Sequence, residues 1–133
     1  MASAGADIVA LDATARGRPG GVSAETLIRA VKEATCLLVF ADVATLAEGQ
    51  RAAAAGADAV LPTLAAPAVD AGSPHEPDLE LLAELARTVP VPVIAEGRIS
   101  TPAHAARALA AGAWAGCVGT AITRPRAITA GFV

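Results

Sequence analysis

The sequence has few aromatic residues: no tyrosine, one tryptophan and two phenylalanines among 133 residues. Hydrophobic residues still make up 54% of the chain, so there is ample apolar surface to bury. We therefore predict a core built from Ala, Val, Leu and Ile. The length suits one domain, and we take residues 1–133 as that domain.

An excess of basic residues is also missing, since the formal net charge is -3 at pH 7 and the arginines are scattered. This argues against a nucleic-acid or anionic-membrane surface. No uninterrupted apolar run approaches the roughly 18 residues of a membrane span, and residues 1–13 have no basic lead-in typical of a signal peptide. We expect a cytoplasmic protein that binds neither nucleic acid nor membrane.

Metal-ligand and disulfide patterns are absent. Cys36 and Cys117 form no disulfide framework, and both lie in apolar strand-like runs, so we expect them to pack as small hydrophobes. Trp114, at the entrance to a predicted strand, is also expected to pack. His75 and His104 have no carboxylate or cysteine at ligand spacing. The sequence thus predicts neither a metal nor a cofactor.

The chain alternates between strands and helices. Gly56 and Gly112 each follow an Ala-rich helical stretch and precede a short apolar strand, as a glycine does where it ends a helix. The predicted strands are 8–12, 36–42, 59–64, 91–97 and 115–119, and the predicted helices are 24–33, 45–55, 79–88 and 102–111. Apolar runs on successive residues favour parallel strands that are covered on both faces. A long Pro- and Gly-rich loop, either a lid or a surface excursion, occupies 65–78.

Polar or special residues stand at the carboxyl end of every predicted strand. They are Asp12, Asp42, Thr63, Glu96 with Arg98, and Gly119 with Thr120. In a β/α barrel these ends form the catalytic face. No Gly-x-Gly-x-x-Gly follows any strand, which weakens a dinucleotide-binding interpretation. Periodicity alone leaves open whether the sheet is doubly wound or part of a barrel.

Three groups of these residues are candidates for chemistry. Glu96, a carboxylate that emerges from an apolar strand, could be a general acid or base, or it could form a structural salt bridge with Arg98. The segments EGRIST and VGTAITRP combine glycine, hydroxyl groups and arginine, so Gly97 and Gly119 could present backbone N–H groups to a phosphate. The alternative is a simple turn followed by a helix cap. Asp12 and Asp42 could bind sugar hydroxyls or cap helices.

The chain closely resembles the N-acetylmannosamine-6-phosphate 2-epimerase family. The resemblance rests on ADIVALDAT, ADVATLAEG, GADAVLPTL, PVIAEGRISTPAHAARALAAGAWA, VGTAITRP and ITAGFV, and the run from 92 to 125 is its most specific part. It implies an isomerase on a TIM (β/α)8 barrel without a required metal. It also implies a phosphorylated amino-sugar substrate, degraded in sialic acid and amino-sugar catabolism, and it leaves a homo-oligomer open.

The resemblance also implies roles for individual residues. Glu96 is then a catalytic acid/base residue, and Asp42 contacts the substrate. Arg124, together with Gly97, Arg98, Gly119 and Thr120, surrounds the sugar and its phosphate. Asp12, from its place at a strand end, joins the substrate-binding residues.

Departures from the family limit what this chain should do alone. A complete barrel needs about 250 residues, so we expect a partial barrel made of the last five βα units, strands four to eight. The family's proton-transfer lysine ends the third strand, whereas the only lysine here, Lys32, lies on a helix. After Thr63 and Leu64, where the family has glycine and an aromatic residue, this chain continues with Ala65. We therefore expect weak activity at best.

Two alternatives remain at this point. One is a non-catalytic half-barrel remnant or self-associating phosphate-binding module, because unpaired strands at the sheet edges favour association. The other is a different phosphate-ester enzyme such as a synthase or aldolase. Those enzymes commonly place a Schiff-base lysine on a strand, and no predicted strand here carries one.

Overall fold

The computed structural model describes residues 2–63, 65 and 76–132, and shows strands and helices in regular alternation. The strands are β1 (Ile8–Asp12), β2 (Leu38–Asp42), β3 (Ala59–Leu61), β4 (Ile94–Glu96) and β5 (Ala115–Cys117). The helices are α1 (Ala24–Ala34), α2 (Leu46–Ala54), α3 (Leu79–Thr88), α4 (Pro102–Ala110), α5 (Thr120–Thr123) and α6 (Pro125–Ala130), with 3₁₀ turns at Ala2–Ala4 and Pro19–Gly21. The five strands and four longer helices predicted from the sequence are confirmed. Most of the predicted loop, with His75, lies outside the described residues.

Each longer helix begins at a side chain that accepts a hydrogen bond from its first turn. Ser23, Thr45, Asp78 and Thr101 accept from the N–H groups of Thr26, Glu48, Leu81 and His104, respectively. These caps satisfy N–H groups that have no partner inside the helix. The polar residues before each amphipathic run therefore fix where the helices start.

Every strand pair in the described ranges is parallel, and neighbours in the sheet are neighbours in the chain. β1 pairs with β2 and β2 with β3, while β4 pairs with β5. A single bridge between Val60 and Val93 connects the two groups. The order therefore runs 1-2-3-4-5 without the reversal that marks a doubly wound sheet. All carboxyl ends of the strands consequently lie along one edge.

The core lies between the sheet and its helices and consists of aliphatic side chains, as predicted. Its largest fully buried members are Ile28, Leu85, Val39, Val43 and Val60. α2 and α3 pack closely because position 49 is glycine, and a Cβ there would collide with the side chain of Leu85. A smaller cluster on the other sheet face contains Ala59, Leu61 and Ile94.

The predictions of packed cysteines and a packed tryptophan were wrong. Cys36 and Cys117 are both exposed, and 74% of Trp114 is exposed. Within the described part of the chain β5 pairs only with β4, so β5 and the residue before it keep one uncovered edge. None of the described helices is long and apolar enough to cross a membrane.

Candidate active site

Three carboxylates line up at the carboxyl ends of the strands. Asp12 and Asp42 are register partners on β1 and β2, and Glu96 ends β4 beside Cys117 of β5. Register partners on adjacent parallel strands project from the same face of a sheet. Asp12 and Glu96 are 84 positions apart in the sequence (96 minus 12), and parallel pairing brings them to one edge of the sheet.

Glu96 lines a cleft of about 800 Å³ at this edge. Burial raises the pKa of the Glu96 carboxyl, and the negative charge of Asp42 raises it further. A hydrogen bond with the Cys117 side chain opposes both effects but does not cancel them. The carboxyl is thus shifted towards holding its proton, which suits a general acid/base group.

Asp42 is half-buried, and burial raises the pKa of its carboxyl. The hydroxyl of Thr63 donates to its Oδ1 at 2.9 Å, which acts in the opposite direction, while the charge of Asp12 adds to the rise. The charge of Asp42 acts in turn on Glu96 and favours a proton there.

Asp12 is held differently. The hydroxyl of Thr14 donates to its Oδ1 at 2.6 Å, and the Thr14 N–H donates to the same atom at 2.8 Å. These bonds, led by that of the hydroxyl, hold the pKa of Asp12 below its usual value, and Arg16 and Arg18 contribute from 3.7 and 3.6 Å. Asp12 is therefore the firmly charged member of the row.

Neither Asp12 nor Asp42 caps a helix, because Ser23 and Thr45 cap α1 and α2. The capping alternative is therefore wrong for both residues. Their contact with a substrate stays a prediction.

The turn after β4 shapes one wall of the cleft. Gly97 has φ 101°, and a Cβ there would lie 3.1 Å from the carbonyl oxygen of Thr63, so a side chain at this position would be strained twice. Arg98 follows with φ 57° and donates to the carbonyl oxygens of Ala65 and Glu76 at 2.9 and 2.7 Å. The salt bridges between described residues do not include Glu96 with Arg98, so that alternative is not observed.

The remaining predicted phosphate residues divide between two places. Gly119 and Thr120, at the start of α5, line the cleft together with Gly97 and Arg98. Arg124 lies between α5 and α6 on an exposed stretch and is not among the residues that line the cleft. The structure thus gathers four of the five predicted residues around the Glu96 cleft.

Two residues of this edge escaped the sequence analysis. Cys117 was expected only to pack, and Thr63 was noted at a strand end without a role. The signal for both is the register, since Cys117 is paired with Glu96 and Thr63 lies within hydrogen-bonding distance of Asp42. A single sequence does not reveal which residues of two strands lie opposite each other.

Glu48 was also missed, although it is a charged residue that is only 6% exposed. Its carboxylate accepts the N–H groups of Ala15 at 2.8 Å and Ala44 at 2.9 Å. Burial favours the neutral form, but these backbone donors prevail and lower the pKa of Glu48. Glu48 thereby ties the loops after β1 and β2 to α2.

Lys32 lies at the opposite end of the strands. Its ammonium group pairs with the carboxylate of Asp58, just before β3, at 2.8 Å, and the same carboxylate accepts the N–H of Val39 at 2.7 Å. Lys32 therefore lies at the end of the strands opposite to the cleft. In the described ranges, no three His, Cys, Asp or Glu side chains gather as metal ligands.

Comparisons with known proteins converge on one family. The family model described as "Putative N-acetylmannosamine-6-phosphate epimerase" matches residues 1–133. The chain is 48% identical to the "Putative N-acetylmannosamine-6-phosphate 2-epimerase" of Caldanaerobacter subterraneus, over 98% of this chain and 55% of that protein. It is also 45% identical to the "Bifunctional enzyme NanE/NanK" of Brucella melitensis, over 99% of this chain and 25% of that protein.

Solved structures include a protein with the same activity in its name and a second protein of similar fold. The N-acetylmannosamine-6-phosphate 2-epimerase of Clostridium perfringens superimposes with a TM-score of 0.84 at 44% identity, over 95% of this chain and 55% of that chain. Thiamine phosphate pyrophosphorylase from Pyrococcus furiosus follows with a TM-score of 0.67 at 27% identity, over 91% and 53%. The chain spans about half the length of the single-activity relatives it matches.

Proposed function

Because this chain belongs to the N-acetylmannosamine-6-phosphate epimerase family, we propose that it serves the interconversion of N-acetylmannosamine 6-phosphate and N-acetylglucosamine 6-phosphate in sialic acid and amino-sugar catabolism. The two sugars differ only at C2. Inversion requires that a proton leave C2 of the open-chain sugar, next to the aldehyde carbonyl, and that a proton return on the opposite face.

The observation that carries this proposal is Glu96. It lines the cleft, and burial together with Asp42 raises the pKa of its carboxyl. A carboxyl group so placed can donate a proton and, once ionised, accept one, which is what each half of an epimerisation needs. Asp12 and Asp42 would meet sugar hydroxyls along the same edge.

We assign the phosphate to the glycine-rich wall of the cleft. Gly97, Gly119 and Thr120 border the space, and backbone N–H groups exposed at glycines can surround an anion. Arg98 borders it as well, and Arg124 would approach from the adjoining exposed stretch between α5 and α6.

We further propose that β1 to β5 correspond to strands four to eight of a (β/α)8 barrel, with residues 1–133 as one domain. The sequential parallel order and the superposition on the Clostridium perfringens epimerase support this. A freely diffusing, cytoplasmic sugar phosphate is the expected partner, and the net charge of -3 is consistent with no nucleic-acid contact.

Turnover by these 133 residues alone should be slow. Epimerisation needs a second proton-transfer group on the other face of C2, which in the family is a lysine by the resemblance described above. The only lysine of this chain is paired with Asp58 at the far end of the strands.

Exchange of the C2 hydrogen in D₂O tests the proposal with high sensitivity. The purified chain is incubated with N-acetylmannosamine 6-phosphate, and ¹H NMR follows loss of the H2 signal and growth of the N-acetylglucosamine 6-phosphate signals. We expect slow exchange that depends on Glu96. Exchange no faster than with the Glu96→Gln variant would contradict the proposed chemistry.

Self-association without catalysis is a second candidate, favoured by exposed apolar side chains. Trp114, Ile122 and Phe132 are 74%, 67% and 86% exposed, and in the described part of the chain one edge of β5 has no partner strand, which association would cover. Light scattering after size exclusion distinguishes this homo-oligomer from a monomer over a range of concentrations.

A further inference from the structure

Thr63 occupies a junction between two carboxylates of the site. It follows β3, the strand between those of Asp42 and Glu96. Its hydroxyl donates to Asp42 at 2.9 Å, and its backbone carbonyl packs against Gly97, the residue after Glu96. Thr63 therefore contacts one carboxylate directly and the turn of the other through its backbone.

The charges around Asp42 explain why such a contact matters. On the β1 side lies Asp12, which is held charged by Thr14, Arg16 and Arg18. Two strands away, at the end of β4, lies Glu96, which the Cys117 side chain contacts in turn. Burial and the charge of Asp12 favour a proton on Asp42, and the charge of Asp42 in turn favours a proton on Glu96. The Thr63 hydroxyl acts against this, because a donated hydrogen bond favours the carboxylate form.

We propose that Thr63 is a positioning residue of this site: its hydroxyl holds Asp42 as a carboxylate, so that of Asp42 and Glu96 it is Glu96 that carries the proton. The role of that proton in epimerisation rests on the function proposed above, whereas the division of protons between the two carboxyl groups is a property of the unliganded chain.

Substitution of Thr63 separates the hydroxyl from the shape of the side chain. Thr63→Val keeps the branched shape and removes the donor, so the titration midpoint of Asp42 should move to higher pH. Glu96 then loses its charged neighbour over part of the range, and its midpoint should move to lower pH. Thr63→Ser keeps a hydroxyl and should leave both midpoints close to those of the unsubstituted chain.

The titrations are read from carboxyl-carbon NMR shifts of the 133-residue chain labelled with ¹³C at Asp and Glu. Asp42→Asn and Glu96→Gln assign the two signals. If Thr63→Val moves neither midpoint, or if Thr63→Ser behaves like Thr63→Val, the positioning role is overturned. Asp42→Asn provides a second test should Thr63→Val not fold: Glu96 must then titrate at lower pH, and an unchanged midpoint also overturns the proposal.

The two proposals fail in different experiments. The titration needs no substrate, so its failure removes the role of Thr63 and leaves epimerisation standing. Absent C2 exchange removes epimerisation and leaves the titration result. Where C2 exchange is measured, Thr63→Val should lower the exchange rate about tenfold, the effect of one hydrogen bond to a charged group, and should shift the pH profile of that rate. Thr63→Ser should restore both the rate and the profile. Unaltered exchange in Thr63→Val would count against the proposal.

Discussion

The charged residues at the two ends of the strands have opposite electrostatic surroundings. At the amino end, Asp58 has a cation and a backbone donor: Lys32 lies at 2.8 Å and the Val39 N–H at 2.7 Å. At the carboxyl end, Asp42 has the carboxylate of Asp12 on the adjoining strand, that of Glu96 two strands away, and a hydroxyl donor, Thr63.

The pKa shifts follow this difference. Burial alone would raise the pKa of Asp58, but Lys32 and Val39 prevail and lower it. Burial also raises the pKa of Asp42 and Glu96, and there the neighbouring carboxylates add to the rise. One end is thus arranged for stability, whereas at the other end burial and like charge favour the protonated forms of Asp42 and Glu96.

The largest expected effect is on turnover at the carboxyl end. Glu96→Gln keeps the size of the side chain and removes its acid/base function, so C2 exchange should fall about 10²- to 10⁴-fold, the usual contribution of such a group. Glu33→Gln, on the exposed surface of α1, is the matched control and should leave the rate of C2 exchange unchanged. Equal exchange rates for the Glu96 variant and the control would contradict an acid/base role of Glu96.

The next effect concerns substrate binding. If Arg124 meets the phosphate, Arg124→Ala should raise the Michaelis constant about tenfold through loss of a charge-assisted hydrogen bond, with little change in kcat. Arg126→Ala removes an equally exposed charge two residues away and should have little effect. Similar constants for both variants would confine phosphate binding to the residues that border the cleft.

At the amino end the expected effect is on stability. Asp58→Ala removes the partner of Lys32 and the acceptor of the Val39 N–H, so the free energy of unfolding should fall by about 1–2 kcal/mol. Asp7→Ala, at an exposed position, serves as the control in urea denaturation. A loss no larger than that of the control would show that the ion pair contributes nothing.

The smallest expected effect is an increase in the free energy of unfolding, opposite in sign to the effect of Asp58→Ala. Because the pKa of Asp42 is raised on folding, its stabilising contribution is fully present below the unfolded pKa, about 3.9, and is lost as pH rises through the folded pKa. Asp42→Asn should therefore raise the free energy of unfolding at pH 7, by less than Asp58→Ala lowers it.

The pKa of Asp58 is lowered, so its contribution is present above the unfolded pKa and is lost as pH falls through the folded pKa. Urea unfolding measured from pH 3 to pH 8 compares the two substitutions. A decrease in stability for Asp42→Asn at pH 7 would contradict the proposed difference between the ends.

Much of the fold was readable from local patterns. Helix α3 was predicted at its observed bounds, and α4 and α1 differ from their predictions by one residue at the carboxyl end. The predicted β2 began two residues early because Cys36 and Leu37 are as apolar as the strand itself. Caps and glycines leave clear local signals, whereas the start of a buried strand depends on its partner.

The prediction of the site was less complete than that of the fold. Glu96, Gly97, Gly119 and Thr120 were identified and do border one cleft. The pairing of Glu96 with Cys117 and the bond from Thr63 to Asp42 could not be predicted, because both depend on the register between strands distant in sequence. The exposure of Cys117 was missed for a related reason: an apolar strand at a sheet edge looks the same in sequence as one at the centre.

The sequence by itself determined the alternation of strands and helices, the aliphatic composition of the core and the polar residues at each strand end, because these depend on local periodicity, caps and side-chain chemistry. Only the tertiary structure decided which of those polar residues become neighbours. Parallel pairing sets Asp42 beside Asp12, and the packing of α1 sets Asp58 beside the cation of Lys32. Burial and neighbouring charge, rather than residue type, then set the opposite pKa shifts of these two aspartates.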